Sequence, residues 1–285
     1  MKIKPLAFDS MGVRAMATYV ETDHNILIDP GAALAPNRYS LPPHPLELAK
    51  LKELSGNIEE YMAESDILVI SHYHYDHYFP YDSNLYRFKI LLLKDHKNNI
   101  NHSQRDRSQK FLYLLDHLPK RIEASDGREF KFNETEIKFS PPMHHGAINS
   151  KLGFVVMTSI SYENEKLIHA SDVQGPDVDE TAEWIIAENP DTLIISGYPT
   201  LFIGRMLPQE GLIKSNENLI KIMNETKVKT IILDHHLVRD LNYGDKIKDV
   251  LSEAEKSGRK IMTAAEFSGM ENAFLEARRK ELYGR

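Results

Sequence analysis

Ile67-Leu-Val-Ile-Ser-His72-Tyr-His74-Tyr-Asp76-His77-Tyr-Phe-Pro80 is the stretch that decides the fold of this chain. Its first four residues are apolar with no polar alternation, which is typical of a strand buried on both faces. Three imidazoles and a carboxylate then fall within six positions. A loop at the tip of a buried strand can aim several side chains at one point, because the scaffold beneath it is rigid.

The side chains of this loop have the chemistry of metal ligands. Imidazole nitrogens suit zinc and iron, and a carboxylate adds a hard oxygen ligand. His72, His74, Asp76 and His77 together offer more donors than one tetrahedral ion normally takes from a single loop. The stretch therefore predicts two metal ions that share the loop, and the plain alternative is a histidine-rich surface turn.

Other candidate donors have the same placement, directly after a strand-like apolar run. They are Asp29, the pair His144 and His145, Asp172, and the pair His235 and His236. An aspartate in such a place is often only a turn cap, and a histidine pair alone is a weak signal. The shared placement favours one common site, because strands of one sheet can deliver their ends to the same edge.

The composition bounds the class of protein. The 285 residues include no cysteine, so disulfides and thiolate ligands are excluded and any metal must be held by His, Asp or Glu. The formal net charge of −7 at pH 7 argues against a general attraction to nucleic acid. The N-terminus lacks an apolar signal sequence and no run is long enough to cross a membrane, so we expect a cytoplasmic protein.

Apolar periodicity predicts alternating strands and helices. The predicted strands cover residues 14–21, 26–29, 67–70, 89–93, 129–140 (a hairpin), 153–159, 166–170, 192–196, 229–233 and 260–263. The predicted helices cover residues 45–65, 103–118, 179–188, 215–227, 245–256 and 264–283. We therefore predict an α/β fold, a four-layer αββα sandwich, in a single domain that spans residues 1–285.

The pattern H-x-H-x-D-H after an apolar strand resembles the signature loop of the metallo-β-lactamase superfamily. That superfamily also includes RNA-processing nucleases, phosphodiesterases, lactonases and thioesterases. Within it the chain most resembles an archaeal group of predicted metal-dependent hydrolases, through Ile-Asp-Pro-Gly, Ser-Asp-Val-Gln-Gly-Pro and Asp-His-His-Leu-x-Arg-Asp.

Two segments resemble the tRNA 3′-processing nucleases of the superfamily. One is Pro142-Met-His144-His145-Gly146 with Leu152-Gly-Phe154 downstream, and the other is Leu233-Asp-His235-His-Leu-Val-Arg239. These matches favour His145 and His235 as the ligands of their pairs.

The resemblance implies a complete set of ligands for two divalent transition-metal ions. One ion would be held by His72, His74 and His145, the other by Asp76, His77 and His235, with Asp172 and a hydroxide between them. Zinc is the favoured metal, with iron or manganese as alternatives. Asp29 would support the metal loop through hydrogen bonds, as an aspartate in its place does in the superfamily.

This ligand set predicts a hydrolase of phosphoesters or other small esters, with the bridging hydroxide as nucleophile. Asp76 would orient the hydroxide, and His236 would protonate the leaving group. Arg239 would bind a phosphate oxygen, and the alternative is an ion pair with Asp240.

Two further residues lie at the same predicted sheet edge. Tyr198 and Thr200 follow the strand predicted over residues 192–196, where their hydroxyls would donate to a substrate oxygen. Equally, they could simply complete a turn.

Two other functions fit the same motif. One is an RNA nuclease of the superfamily, against which the net acidity and the lack of a basic, aromatic-interleaved exosite count. The other is a dinuclear iron redox protein, but Asp76 stands where the oxygen-reducing flavoproteins of similar fold usually have Glu. The expected partner is a small-molecule or phosphoester substrate, with RNA less favoured and no membrane contact. The sequence leaves the oligomeric state open, including a homo-oligomer.

Overall fold

A computed structural model describes residues 1–148 and 150–285. The first sheet has six strands, which are hydrogen-bonded in chain order. They are β1 (Lys2–Phe8), β2 (Met16–Glu21), β3 (Asn25–Ile28), β4 (Ile67–Ile70), β5 (Ile90–Leu93) and β6 (Arg121–Ala124). β1 to β3 are antiparallel neighbours, whereas β3 to β6 run parallel. The carboxyl ends of β1, β3 and β4 therefore lie along one edge of this sheet.

A second sheet has seven strands, and a small third sheet has two. The seven are β7 (Glu129–Phe132), β8 (Thr135–Phe139), β11 (Thr158–Tyr162), β12 (Glu165–His169), β13 (Thr192–Ser196), β14 (Thr230–Asp234) and β15 (Lys260–Met262), and the two are β9 (Met143–His144) and β10 (Phe154–Val155). The spatial order of the seven is β15-β14-β13-β12-β11-β8-β7, with β12 to β15 parallel. Because β11 is antiparallel to both β8 and β12, the carboxyl ends of β8, β12 and β14 share one edge.

Helices pack against both sheets. Those of the described residues are α1 (Pro45–Glu64), α2 (His102–Leu115), α3 (Asp179–Glu188), α4 (Gln209–Glu225), α5 (Tyr243–Lys246), α6 (Lys248–Lys256), α7 (Ala264–Phe267) and α8 (Arg279–Leu282). α1 and α2 share a buried apolar cluster with the first sheet, and α3, α4 and α6 share one with the second. None of these helices combines the length and the apolar composition that crossing a membrane requires.

Alternation along the central strands separates the two faces of the second sheet. Ile194 and Ile232 pack into the cluster shared with the first sheet. Their neighbours Leu193, Ile195 and Leu233 pack with α3, α4 and α6 instead. Two sheets thus face each other between outer helices, and the predicted four-layer αββα sandwich is confirmed.

Several predicted boundaries are wrong. α4 begins at Gln209 rather than Ser215, and α2 is capped by Asn101, whose side chain accepts from Gln104 N at 2.8 Å. The helix predicted over residues 264–283 ends at Phe267, because Gly269 takes a left-handed φ of 70° and turns the chain. β1 and β6 were not predicted.

The C-terminal segment is fastened to α1 by a buried ion pair. Arg279 Nε and Nη2 donate to the two carboxylate oxygens of Glu47 at 2.7 and 2.6 Å, and both side chains are fully buried. Further guanidinium donors bond the carbonyls of Leu41 and Ala35, each at 3.1 Å. This hydrogen-bonded geometry is what makes a buried ion pair tolerable.

We expect Arg279→Met to lower the free energy of unfolding by about 3–5 kcal/mol, because the Glu47 carboxylate stays buried without its partner. Urea unfolding followed by circular dichroism measures the change. Arg278→Met is the matched control, since Arg278 pairs with Glu281 at the surface, with side chains 39% and 60% exposed. That variant should lose less than about 1 kcal/mol. Equal unfolding midpoints for the two variants would contradict this account of the segment.

Candidate metal centre

The carboxyl ends of β4, β12 and β14, with the segment after β8, bring the predicted donors together. Among the described residues four sets of ligand atoms each lie within 4.8 Å of one another, and two of these sets together contain all seven predicted ligands. We call these two the first donor group, formed by His72, His74, His145 and Asp172, and the second donor group, formed by Asp76, His77 and His235. The seven residues predicted as ligands thus meet in two adjoining clusters, and their role as ligands stays a prediction.

Asp172 lies between the two donor groups. Its Oδ2 is 3.3 Å from His145 Nε2 and 3.5 Å from His235 Nε2. Its Oδ1 accepts a hydrogen bond from Ser196 Oγ at 2.9 Å. Oδ2 therefore faces both donor groups, with His236 Nε2 also 3.2 Å away, while Ser196 holds Oδ1, so Asp172 is placed where it would help to hold ions in both groups.

Buried imidazole nitrogens test whether the site fits metal ions. His72 Nδ1 lies 3.0 Å from Ser71 Oγ, and His77 Nδ1 lies 2.9 Å from Asp29 Oδ2. The Nε2 atoms of both rings are buried and have no hydrogen-bond partner among the described residues. A buried polar atom left unpaired costs about 1–3 kcal/mol. Coordination would satisfy both atoms, and the mixed imidazole and carboxylate donors suit zinc, iron or manganese.

Burial and neighbouring charges favour the metal-binding forms of His74 and Asp172. Burial lowers the pKa of His74 to about 3, with the nearby His145 ring as a further cause, so this ring is neutral at pH 7. Burial alone would raise the pKa of Asp172, but the rings of His236 and His145 hold it well below its usual range. Metal ligation requires neutral imidazole and ionised carboxylate, which is what these shifts favour.

Asp29 connects the metal loop to both sheets. Its Oδ1 accepts from Ser71 N at 2.8 Å, and its Oδ2 accepts from the hydroxyls of Ser71 and Ser171 at 2.7 and 2.8 Å. The same Oδ2 faces His77 Nδ1, so the hydrogen of this ring lies on Nδ1 and Nε2 is left for an ion. These hydrogen bonds are the ones expected of a residue that supports the metal loop, which is the role predicted for Asp29.

Gly31 allows the Asp29 turn to approach the metal loop. A Cβ at this position would lie 2.1 Å from the backbone nitrogen of Tyr78, where no rearrangement of a side chain could relieve the clash. The Pro-Gly break after β3 is therefore required by packing, because only glycine leaves room for the backbone next to His77.

Three residues at strand ends of the site have left-handed backbones. The φ angles of Asp29, Ser171 and His235 are 51°, 53° and 63°. Each costs of order 1–3 kcal/mol for a residue other than glycine, and such conformations cluster at functional sites. They turn these side chains toward the donor groups directly after their strands.

Asp9 belongs to the site and was not predicted. Its Oδ2 lies 2.7 Å from His235 Nδ1, and its Oδ1 accepts from Arg239 Nε at 2.5 Å. It thereby fixes the His235 ring with Nε2 toward Asp76, 3.8 Å away. Burial lowers the pKa of His235, but Asp9 and Asp172 more than offset this and raise it to about 10, so a proton and an ion compete for Nε2.

We expect Asp9→Asn to weaken binding of one metal ion by about 10–100-fold, the usual effect of losing a carboxylate that orients a ligating histidine. The amide keeps the shape and one acceptor, so the fold should persist. Zinc titration with a competing chelator, alongside thermal unfolding, measures both. Unchanged affinity for both ions would show that Asp9 does not position His235.

His236 does not have the arrangement of a proton donor. Its Nδ1 lies 3.0 Å from Arg239 Nη1, which can only donate, so the ring hydrogen is on Nε2, 3.2 Å from Asp172 Oδ2. Burial and the Arg239 charge lower the pKa of His236 to about 4. The ring is therefore neutral at pH 7 in this arrangement, and the predicted general-acid role of His236 is not supported.

Arg239 pairs with Asp9 rather than with Asp240, so the alternative considered for it is wrong. Its side chain is buried and still lines the cavity in front of the donor groups. Asp240 instead accepts from Thr200 Oγ1 at 2.8 Å, and the Tyr198 hydroxyl donates to the Pro208 carbonyl at 3.0 Å. Both hydroxyls are therefore used inside the protein.

A cavity of about 750 Å³ opens in front of the donor groups. Four of the predicted ligands line it, namely His74, Asp76, His145 and Asp172. Over the described residues Tyr198 and Thr200 do not belong to its wall, and the substrate contacts predicted for them stay a prediction. Gln174 and His236 also line the cavity and contact each other. The sequence did not predict this contact, because the two residues follow two different strands.

Relatives of similar sequence are found along the whole chain, although no family model matches it. A UPF0282 protein of Methanocaldococcus jannaschii is 44% identical over 294 residues, which cover 99% of this chain and 96% of that protein. A UPF0282 protein of Saccharolobus solfataricus is 41% identical over 288 residues, covering 99% and 93%. A third, of Methanopyrus kandleri, is 40% identical over 297 residues, covering 100% and 99%.

Solved structures share the architecture at low sequence identity. The metallo-β-lactamase fold protein YhfI from Bacillus subtilis matches with a TM-score of 0.52 at 16% identity, covering 92% of this chain and 94% of that one. Unliganded yeast PDE1 matches with a TM-score of 0.53 at 12% identity, covering 92% and 96%. A mutant of the CmlA beta-hydroxylase matches with 0.53 at 13% identity, covering 88% of this chain and 51% of that one.

Proposed function

Because the chain belongs to the UPF0282 family of archaeal proteins and has the metallo-β-lactamase fold, we propose that it is a dinuclear-metal-dependent hydrolase of phosphoesters. The resemblance seen in the sequence is thereby confirmed at the level of family and fold. The substrate, the metal and the roles of the residues belong to the proposal.

One observation carries the proposal: two donor groups adjoin at Asp172 Oδ2, which faces His145 Nε2 and His235 Nε2 at 3.3 and 3.5 Å. One carboxylate oxygen shared by two sets of imidazoles is an arrangement for two cations at close range. We favour zinc because imidazole nitrogens dominate both groups, with iron and manganese as alternatives.

Charge supports an anionic substrate. The two donor groups contain two carboxylates, Asp76 and Asp172, against the four positive charges of two divalent ions. The occupied donor groups would thus remain positive, whereas Arg14 and Arg239 in the same cavity wall are each paired with a carboxylate, Glu276 and Asp9. A positive cavity attracts an anionic ester even though the whole chain carries a net charge of −7.

Two divalent ions, when bound, would supply a nucleophilic water at neutral pH and stabilise negative charge on the ester oxygen. The protein's own groups would orient the reactants. Asp76, which lines the cavity, would accept a hydrogen bond from the attacking water, and the Gln174 amide would donate to an ester oxygen, while His236 Nε2–H stays directed at Asp172. With His236 neutral, the leaving group would take its proton from solvent in the open cavity.

A panel of substrates tests this proposal. Zinc-loaded protein should hydrolyse bis-p-nitrophenyl phosphate, lose the activity with a chelator and recover it with added zinc. Carboxylic lactones, thioesters and structured RNA complete the panel, and Asp172→Asn is the inactive control. Cleavage of RNA without hydrolysis of small diesters would favour the nuclease alternative. Oxygen consumption by reduced, iron-loaded protein without any hydrolysis would favour the redox alternative.

A further inference from the structure

Arg14 is a cation of the cavity that the sequence patterns did not assign to the site. Its Nε and Nη2 donate to the two carboxylate oxygens of Glu276 at 2.6 and 2.7 Å. The Arg14 side chain is 28% exposed and lines the cavity together with Asp172 and Arg239. Glu276 thus holds one edge of the guanidinium and fixes its orientation.

The other edge of this guanidinium faces no acceptor among the residues that the structure describes. Among the described residues no hydrogen bond is formed by Arg14 Nη1, whereas Arg239 donates from Nε to Asp9 and from Nη1 to His236, and through Asp9 it is also linked to His235. Arg239 is therefore a positioning residue for two histidines. Arg14 therefore keeps donors for an anionic oxygen of a ligand, and Lys151 is a further cation of the same cavity wall.

Most of the remaining wall of the same cavity is apolar, although Ser150 and Lys151 also belong to it. We call its apolar part the apolar sleeve, formed by Leu152, Phe202, Met206 and Leu207. Met206 is 77% exposed and Leu152 is 37% exposed, whereas Asp172 and His145 are almost completely buried. The cavity thus has buried charged groups at its bottom and exposed apolar side chains near its mouth. An apolar group bound in the apolar sleeve would shield these apolar side chains from water.

We propose that the substrate is an amphiphilic phosphodiester, and this inference rests on the proposed hydrolase function. Its anionic phosphate lies beside Arg14 and the donor groups, while an alkyl or other apolar substituent occupies the apolar sleeve. Charge complementarity selects this occupant, since a purely apolar ligand offers no acceptor to Arg14 Nη1, which Glu276 leaves free. A polyanionic nucleic acid would place charged phosphates against Leu152 and Met206.

A chain-length series tests the sleeve. With p-nitrophenyl alkyl phosphodiesters from methyl to octyl, kcat/KM should rise up to about fourfold for each methylene buried, which corresponds to about 0.8 kcal/mol, and level off beyond the sleeve. Met206→Ser should reduce kcat/KM for the octyl ester several-fold more than for the methyl ester. Met270→Ser is the matched control, because Met270 is also exposed, at 47%, but lies outside the cavity wall.

A charge series tests Arg14. Arg14→Gln should raise KM for the anionic octyl diester at least about tenfold, as expected for a lost charge-assisted hydrogen bond. It should change KM little for a neutral p-nitrophenyl phosphotriester, and Arg14→Lys should restore part of the loss. An equal effect on both esters would overturn the role of Arg14. If Arg14→Gln does not fold, Glu276→Gln provides the same comparison with the guanidinium retained but no longer fixed.

Equilibrium binding separates this inference from the proposed function. Calorimetry on zinc-loaded protein should show octyl phosphate binding at least about tenfold more tightly than methyl phosphate, even if no ester in the panel is hydrolysed. Hydrolysis with a flat chain-length series and equal affinities would overturn the amphiphilic substrate and leave the hydrolase intact. Absence of hydrolysis with a clear preference for octyl phosphate would overturn the hydrolase alone.

Discussion

Asp172→Asn is expected to weaken metal binding and to lower the rate of ester hydrolysis by more than the roughly 10–100-fold typical of residues that only orient ligands. The amide keeps the shape of the side chain, and its oxygen can still accept from Ser196 Oγ, so the fold should persist. What is lost is the negative charge at Oδ2, which faces His145 and His235. Two divalent ions at close range would then repel each other with less compensation.

Metal content by mass spectrometry, thermal unfolding and diester hydrolysis measure these three effects in one preparation. Asp179→Asn is the matched control, because Asp179 begins α3 seven positions along the same segment and pairs with Lys214 near the surface. It should keep both ions and the activity. Wild-type activity with two bound ions in Asp172→Asn would show that Asp172 is only a turn cap, for which asparagine serves equally well.

The second large effect is expected to separate the members of each histidine pair. His145→Ala and His235→Ala should each lose most of one ion and nearly all activity, because each removes a nitrogen that faces Asp172 Oδ2. His144→Ala should retain both ions, since the His144 ring stacks near Phe154, with centroids 4.8 Å apart.

His236→Ala is the sharper half of this prediction, because His236 Nε2 also lies 3.2 Å from Asp172 Oδ2. We expect this variant to retain metal, since Asp9 fixes His235 toward the second donor group whereas Arg239 fixes His236. Metal per chain after gel filtration decides the matter. An emptied site in His236→Ala with full occupancy in His235→Ala would place the ligand one position later.

Local sequence signals predicted the parts of the fold that depend on neighbours in the chain. α3 and β13 have the predicted bounds, because an uninterrupted apolar period defines each of them. The donors of the metal loop were predictable because one buried strand carries them all. Strand ends also indicated the correct edge of the sheet for Asp172 and His235.

Contacts between distant segments were not predictable in this way. Asp9 directly follows β1, which was not recognised as a strand because Lys2, Lys4 and Pro5 interrupt its apolar pattern. Its partner His235 is 226 positions away along the chain. Pro5 is tolerated because β1 is an edge strand, where a missing backbone donor matters less. The signal that remains is a carboxylate directly after Leu-Ala-Phe, the same placement as in Asp29 and Asp172.

Side-chain direction and protonation were also beyond the sequence. Tyr198 and Thr200 lie at the predicted edge, but turning into the protein gives their hydroxyls Pro208 and Asp240 as partners. The tautomer of His236 depends on Arg239, which itself depends on Asp9. A sequence pattern can predict that a residue lies at a site. The role of that residue depends on its hydrogen-bond partners, which the pattern does not give.

The central claim is that one chain binds two divalent ions through two donor groups that share Asp172. Its most direct test is the number of zinc ions per chain after equilibrium dialysis of the wild-type protein, measured by mass spectrometry against a quantitative amino-acid analysis. The account predicts two ions per chain, and close to one in His77→Ala. A single ion in fully saturated wild-type protein would contradict it.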